Sequence, residues 1–104
     1  AYSMSNGCPI VSPDSNVICI TPVSPHTYSH RPLIVNDKDI IEIRVDSQSV
    51  KHTMATVDGA NNINVENPKI ITVKKSKKFL KIIHPKQYNY FEILNQKLKW
   101  GGRS

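Results

Sequence analysis

Residues 33–45 read LIVNDKDIIEIRV and indicate the class of fold more clearly than any other stretch of the chain. Two apolar runs, Leu33–Val35 and Ile40–Val45, flank the polar residues Asn36–Asp39, which is the arrangement of a β-hairpin. Apolar and charged residues alternate through the second run, so we expect a strand with one buried and one solvent-facing side. The stretch therefore predicts β structure.

Short apolar runs recur on both sides of this stretch, at a spacing of about eight to twelve residues. Asp58–Gly59 follows one of them and is a strong turn signal. The last two of these runs, Lys69–Val73 and Phe79–Ile83, enclose a lysine-rich tip, Lys74–Lys78. We expect Phe79, which follows the tip, to face the core. We interpret the tip as a solvated hairpin end whose charges discourage edge pairing. The runs are Val17–Thr21, expected to be covered on both faces, Met54–Val57, Lys69–Val73 and Phe79–Ile83.

The C-terminal end of the chain is the one stretch with a clear helical pattern. Asn89 fits an N-cap, and Glu92 three residues later completes a capping-box arrangement. Phe91, Leu94 and Leu98 fall on one face, and we expect Gly101–Gly102 to end the helix. The sequence therefore predicts a mainly β fold, a two-sheet sandwich-like domain with one short C-terminal helix.

Composition limits the classes of protein that the chain can represent. Its 104 residues are 38% hydrophobic and fit one domain. No apolar run approaches the roughly 20 residues of a membrane span, and no segment resembles a signal peptide. The net charge of +6 favours phosphorylated or polyanionic partners without specifying a fold.

Neither the cysteines nor the histidines form a metal or redox signature. Cys8 and Cys19 lack a CxxC spacing, so we expect free thiols and a reducing, cytoplasmic location. His26 and His30 have helical spacing but lie among prolines, so no metal site is predicted. Aspartates are assigned to turns or solvent-facing positions, with no pair suited to acid–base catalysis: Asp14, Asp37, Asp39 and Asp46.

The first eleven residues, AYSMSNGCPIV, combine small residues, two hydroxyls and an aromatic ring before Pro9. Small residues let the backbone approach a flat ligand, hydroxyls bind its edges and the ring covers its face. From the residues alone, a small-residue turn packed for geometric reasons stays an alternative. In either case we expect Ala1–Asn6 to form a short helical turn that Gly7 closes.

This segment resembles the Gly-Ser-Thr-Ala-Tyr-Ser-Leu-Ser-Ala-Gly-Gly-Pro-Ile-Val signature of NAD kinases, entered at its fourth residue. Two further stretches resemble the family in the same order: Pro25–Pro32, which reads PHTYSHRP, and the tail His84–Gly101. Three ordered matches cover nearly the whole chain. On this resemblance we expect the C-terminal part of a bacterial-type NAD kinase, with a natural C-terminus and a truncated N-terminus.

The resemblance implies that the opening segment lines the NAD site. The residues implied to bind NAD are Ala1, Tyr2, Ser3, Met4, Ser5 and Ala60. Those implied to support the site are Gly7, His26, Asp58 and Gly59. No catalytic residue and no metal ligand is assigned within the chain.

Three positions depart from the family pattern. Asn6 and Cys8 stand where the family usually has Ala and Gly, so Cys8 adds a side chain at a point of close approach. Ala60 stands where the family has the third residue of an Asp-Gly-Gln tripeptide. It would contribute only its backbone or its methyl group.

The implied reaction moves the terminal phosphoryl of ATP, or of polyphosphate, onto the adenosine ribose 2′-hydroxyl of NAD, with magnesium held mainly through the nucleotide phosphates. Nothing in the chain matches the family's Gly-Gly-Asp-Gly motif, so the isolated chain is expected to be inactive. Residues 1–87 would be a β-rich NAD-binding domain. Residues 88–104 would pack toward an absent N-terminal α/β domain in a homo-oligomer, a dimer or tetramer.

The alternative function is a small basic β-domain that binds RNA or another polyanion, without any enzyme. Charge supports it, but spaced surface aromatics and a recognised RNA-binding motif are missing. We therefore expect neither nucleic acid nor membrane as a partner. A purely structural interaction module is the third alternative.

Overall fold

The computed structural model describes residues 2–24, 29–46, 48 and 50–101. Its elements are α1 (Tyr2–Ser5), β1 (Val17–Ile20), β2 (Leu33–Asn36), β3 (Ile41–Arg44), β4 (Met54–Val57), β5 (Asn61–Asn64), β6 (Ile70–Val73) and α2 (Tyr90–Leu98). The predicted mainly β class, with one C-terminal helix, is confirmed.

All strand pairs are antiparallel, and the described strands form three two-stranded sheets. β1 pairs with β2, β3 with β6 and β4 with β5. β1 is half-buried throughout, so the expected cover on both faces is incomplete. Extensive contacts between described elements are confined to these three pairs. The described strands thus form three small sheets, whereas the strand spacing predicted two.

The hairpin predicted over residues 33–45 is wrong in its pairing. The turn itself forms, since Asp39 N–H donates to the Asn36 carbonyl at 3.1 Å and Lys38 N–H donates to Asn36 Oδ1 at 2.9 Å. Yet β2 pairs with β1, and β3 pairs with β6. Alternating hydrophobicity identifies a strand and its buried face but not the strand that it pairs with.

The lysine-rich tip is likewise not the end of a hairpin. β6 finds its partner in β3, and residues 78–85 form no strand. Phe79 is 79% exposed, so its predicted place in the core is wrong. Leu80 and Ile83 beside it are also exposed. No described element covers this segment, which explains why apolar side chains stay on the surface.

The Asn89 cap at the start of α2 is as predicted, without a reciprocal Asn89–Glu92 bond among the described residues, and the helix ends earlier than expected. Asn89 Oδ1 accepts from Phe91 N–H at 3.1 Å and Glu92 N–H at 3.3 Å. Lys99 adopts φ of +53°, and its N–H donates to the Asn95 carbonyl, which stops the helix at Leu98. Neither described helix is long and apolar enough to cross a membrane.

The described chain buries few side chains. Its Cα radius of gyration is 17.4 Å, whereas a compact domain of this length has about 13 Å. Cys8, Asp37 and Lys69 are the described residues that are buried, each with 7–8% of its surface exposed. Burial is therefore concentrated where turns meet strand ends, and most large apolar side chains lie exposed.

Candidate functional site

The opening segment is a single helical turn with a well-formed C-terminal cap. Gly7 N–H donates to the Met4 carbonyl at 3.0 Å. Cys8 N–H donates to the Ser3 carbonyl at 3.0 Å. Gly7 has φ of +88°, in the left-handed region that glycine adopts readily. This is the Schellman arrangement, so the predicted turn closed by Gly7 is confirmed.

The side chains of this turn face solvent. Tyr2 is 75% exposed, which leaves its ring free to cover a flat ligand. Ser5 Oγ donates to the Tyr2 carbonyl at 2.7 Å, and Asn6 Nδ2 donates to the same carbonyl at 3.0 Å. Because the Ser5 proton is engaged, its oxygen is oriented to accept a hydrogen bond. Ser3 and Met4 are exposed as well.

Cys8 fixes the end of the turn to β1. Its side chain is buried, and its thiol lies close enough to that of Cys19 to influence the pKa of Cys19. Burial raises the pKa of the Cys19 thiol above its ordinary 9.0, and the neighbouring Cys8 thiol adds to the rise. Both cysteines are free. Cys8, which departs from the family pattern, therefore places a buried side chain directly after the turn.

The second group of implied residues forms the tip of the β4–β5 hairpin. Asp58 has φ of +50° and Gly59 φ of +71°, as a type I′ turn requires. Ala60 N–H donates to the Val57 carbonyl at 3.2 Å. All three turn residues are exposed. The turn predicted at Asp58–Gly59 is confirmed.

The structure does not join α1 and this hairpin tip into one wall. Extensive contacts between elements of the described ranges run within the three strand pairs, and α1 belongs to none of them. Ala1 and His26, both implied by the resemblance, lie outside the described residues. The described candidates thus form two exposed groups, on α1 and at the β4–β5 tip.

The chemistry of both groups suits binding. They offer an aromatic ring, hydroxyls, a carboxylate and backbone groups, all accessible to solvent. The described residues contain no group of three or more His, Cys, Asp or Glu side chains that could hold a metal ion. Neither group places a base beside a nucleophile, which is the geometry that nucleophilic catalysis needs.

One ion pair, between Asp37 and Lys75, is not signalled by any pattern in the sequence. Asp37, expected at a turn or on a wet face, is buried, and its Oδ2 accepts a hydrogen bond from Lys75 Nζ. A cleft of about 520 Å³ lies beside the pair. The two residues are 38 positions apart, so no local pattern signals their contact. Part of the lysine-rich tip is therefore structural.

Comparison with known proteins agrees with the resemblance. Residues 1–85 match the family model described as the ATP-NAD kinase C-terminal domain. Over 103 residues the chain is 37% identical to an NAD kinase of Pseudoalteromonas translucida, covering 99% of this chain and 35% of that protein. It is 43% identical over 100 residues to an NAD kinase of Wigglesworthia glossinidia brevipalpis, covering 96% of this chain and 34% of the relative.

A third relative has the same relation to the chain. An NAD kinase of Chlorobaculum tepidum is 42% identical over 100 residues, covering 96% of this chain and 35% of that protein. The chain thus spans about a third of the length of these curated relatives. The family match extends over most of the chain and includes both α1 and the β4–β5 tip, and on that basis the chain belongs to the ATP-NAD kinase C-terminal domain family.

Proposed function

We propose that this chain is the NAD-binding part of an NAD kinase. The complete enzyme transfers the terminal phosphoryl of ATP, or of polyphosphate, to the adenosine ribose 2′-hydroxyl of NAD. The family match over residues 1–85 supports the proposal. The observation that carries it is the exposed ring and hydroxyls presented by the capped turn of Tyr2–Ser5.

The turn binds NAD through complementary surfaces. The Tyr2 ring stacks on a flat part of the dinucleotide. Ser3 offers an exposed hydroxyl, and Ser5 accepts a hydrogen bond from an amino or hydroxyl group of the ligand. The Schellman bonds around Gly7 hold the turn rigid, so little conformational entropy is lost on binding.

The β4–β5 tip completes the site from another copy of the chain. Within one copy, α1 and the tip share no extensive contact among the described residues, yet the resemblance assigns both to NAD. A homo-oligomer, dimer or tetramer, brings the two together. Because Ala60 N–H is already used in the turn, Ala60 offers the ligand its carbonyl oxygen or its methyl group.

The catalytic groups come from outside this chain. Phosphoryl transfer depends mainly on positioning and on stabilising charge, which require a base and a magnesium ion near the phosphates. Magnesium would be held through the nucleotide phosphates and would neutralise their developing charge. The chain alone therefore forms no NADP. The complete enzyme is proposed to work in the cytoplasm.

Exposed apolar side chains mark where the remaining domain packs. Leu80 is 88% and Ile83 95% exposed, and Phe91 on α2 is 61% exposed. Exposed apolar area of this kind is costly in water and is typical of an interface. The segment 79–83 and the face of α2 would contact an N-terminal α/β domain.

The test measures steady-state kinetics of the full-length enzyme. Tyr2→Ala should raise KM for NAD about tenfold, the factor that corresponds to about 1.4 kcal/mol of lost binding. Tyr2→Phe keeps the ring and should stay near wild type. Ser5→Ala should raise KM for NAD severalfold, whereas Ser15→Ala, an exposed serine outside the turn, should have no effect.

The site assignment fails if both Tyr2→Ala and Ser5→Ala leave KM for NAD at the wild-type value. A separate assay with the chain alone addresses the catalytic part. NADP formation by the chain alone would contradict the proposal that the catalytic groups lie elsewhere.

A further inference from the structure

A polar cavity of about 560 Å³ lies at the base of the β4–β5 hairpin. Its walls include Thr53, which precedes β4, Asn64, which ends β5, and Lys69, which leads into β6. The volume falls in the range of about 300–1,000 Å³ typical of small-molecule sites. Four strand residues separate this base from the tip at Ala60, roughly 13 Å along the hairpin.

The cavity wall contains a buried cation without a counter-ion. Lys69 is 8% exposed, and its Nζ donates to the Val50 carbonyl. Within the described ranges this is the ammonium's one hydrogen bond, and no described carboxylate lies at ion-pair distance. A buried charge without a charged partner is costly. Asp37, the other buried charge, has Lys75.

A residue of the same wall carries a buried hydroxyl without a partner among the described residues. Thr53 Oγ1 is buried and has no hydrogen-bond partner in the part of the chain that the structure describes. The backbone at this residue is fixed, since Val65 N–H donates to the Thr53 carbonyl at 2.9 Å. A buried hydroxyl normally has a partner. Lys69 and Thr53 together point to an anion with several acceptor oxygens.

The rest of the wall adds charge and polar groups. Lys51 contributes a second, exposed cation, and His52 lies beside it. Glu66 contributes the one wall carboxylate, which leaves an excess of positive charge. Asn64 and Asn67 add amides that donate to and accept from hydroxyl groups. The wall therefore suits a ligand with an anionic end and a hydroxylated body.

We propose that this cavity binds a small phosphate monoester of a hydroxylated carbon chain or ring. Its phosphate contacts Lys69, Thr53 and Lys51, and its hydroxyl groups contact Asn64 and Asn67. A phosphate monoester carries a charge of about −1.5 to −2 near neutral pH. It therefore balances the charge of two lysines better than a ligand with a single carboxylate group would. The cavity also has room for an organic part beyond the phosphate.

The experiment is isothermal titration calorimetry on the full-length protein with NAD at saturation, so that the proposed dinucleotide site is occupied. The probes are ribose 5-phosphate, inorganic phosphate and ribose. Ribose 5-phosphate should bind most tightly and ribose should not bind. Equal affinity for inorganic phosphate and ribose 5-phosphate would overturn the assignment of an ester.

Two variants localise the binding. Lys69→Met keeps the aliphatic stem and should weaken ribose 5-phosphate binding about tenfold or more, as expected for a lost charged hydrogen bond. Thr53→Val keeps the shape and should weaken it severalfold. Lys77→Met, an exposed lysine outside this cavity, is the matched control and should bind as wild type.

Each result bears on the proposal. Unchanged affinity in both Lys69→Met and Thr53→Val would place the ligand elsewhere and overturn it, as would an absence of binding by the wild-type protein. If Lys69→Met fails to fold, Thr53→Val with Lys51→Met supplies the same comparison. Kinetics of NAD phosphorylation report separately on the proposed enzyme, because Lys69 and Thr53 lie away from α1 and the β4–β5 tip.

Discussion

Asp37 in the turn after β2 accepts a hydrogen bond from Lys75 Nζ, and this ion pair ties the turn to the segment that follows β6. The register explains the contact. Ile41 at the start of β3 lies opposite Val73 at the end of β6, so the two turns meet at one end of the sheet. A carboxylate with 9% of its side chain exposed thereby gains the partner that burial requires.

Lys75→Met should lower the stability of the protein. The substitution leaves the buried Asp37 carboxylate unpaired, and we expect a loss of about 1–3 kcal/mol in the free energy of unfolding. Lys77→Met is the matched control, since Lys77 is exposed and forms no ion pair within the described ranges. Urea unfolding measures both, and equal losses in the two variants would contradict a structural role for the pair.

Cys19 should react slowly with alkylating reagents. Burial raises its pKa above the ordinary 9.0, and Cys8 adds to the rise, so the reactive thiolate is scarce near neutral pH. The stabilising effect of the raised pKa is complete below pH 9.0 and is lost as pH rises through the folded-state value. The rate of iodoacetamide labelling of Cys19 across this pH window, read by mass spectrometry, measures the thiolate fraction and hence the pKa.

Cys8→Ala is the informative comparison for this thiol. Removing the Cys8 sulfur removes one of the influences that raise the Cys19 pKa, so labelling of Cys19 should become faster at a given pH. A rate profile for native Cys19 that matches free cysteine, or one that Cys8→Ala leaves unchanged, would count against the thiol contact.

Gly7→Ala should destabilise the opening turn through the backbone alone. A Cβ at Gly7 would meet nothing within 4 Å, but φ of +88° is strained for alanine. The cost should be about 1–2 kcal/mol. Gly7→Asn is the control, because asparagine tolerates the left-handed region and should lose less. Thermal unfolding of both variants tests this, and equal stability of Gly7→Ala and wild type would refute it.

Asn89→Ala should weaken α2. The Asn89 side chain accepts hydrogen bonds from the N–H groups of Phe91 and Glu92, and losing such a cap costs about 1 kcal/mol. Asn95→Ala, whose side chain lies within the helix and caps nothing, should be neutral or slightly stabilising. Helix content by circular dichroism and the unfolding midpoint are the measurements, and a smaller loss for Asn89→Ala than for Asn95→Ala would exclude the cap.

Local signals in the sequence predicted several elements correctly. Gly7 closes α1, Asp58–Gly59 forms the β4–β5 turn and Asn89 caps α2, as expected. Each of these depends on residues only a few positions apart, where backbone preferences and neighbouring side chains act directly. The same holds for the family resemblance, since its motifs are short and contiguous.

Contacts between distant parts of the chain were not predictable in this way. Phe79 was expected in the core and is exposed. Asp37 was expected in a turn or on a solvent-facing side, and it lies in a turn but is buried. Nothing near either residue in the sequence reports which segment will lie beside it. The cavity around Lys69 has the same origin, because its walls come from two separate segments, residues 51–53 and 64–69.

The amino-acid sequence by itself determined the mainly β class, the positions of the sharp turns, the helix cap and the family. Short-range sterics and hydrogen bonds suffice for these features. Only the tertiary structure decided that β2 pairs with β1 and not with β3. It also decided that Lys75 forms an ion pair with Asp37, and that Lys69 lies buried without a described counter-ion. Pairing and burial depend on the competition among all surfaces of the folded chain, which no single stretch encodes.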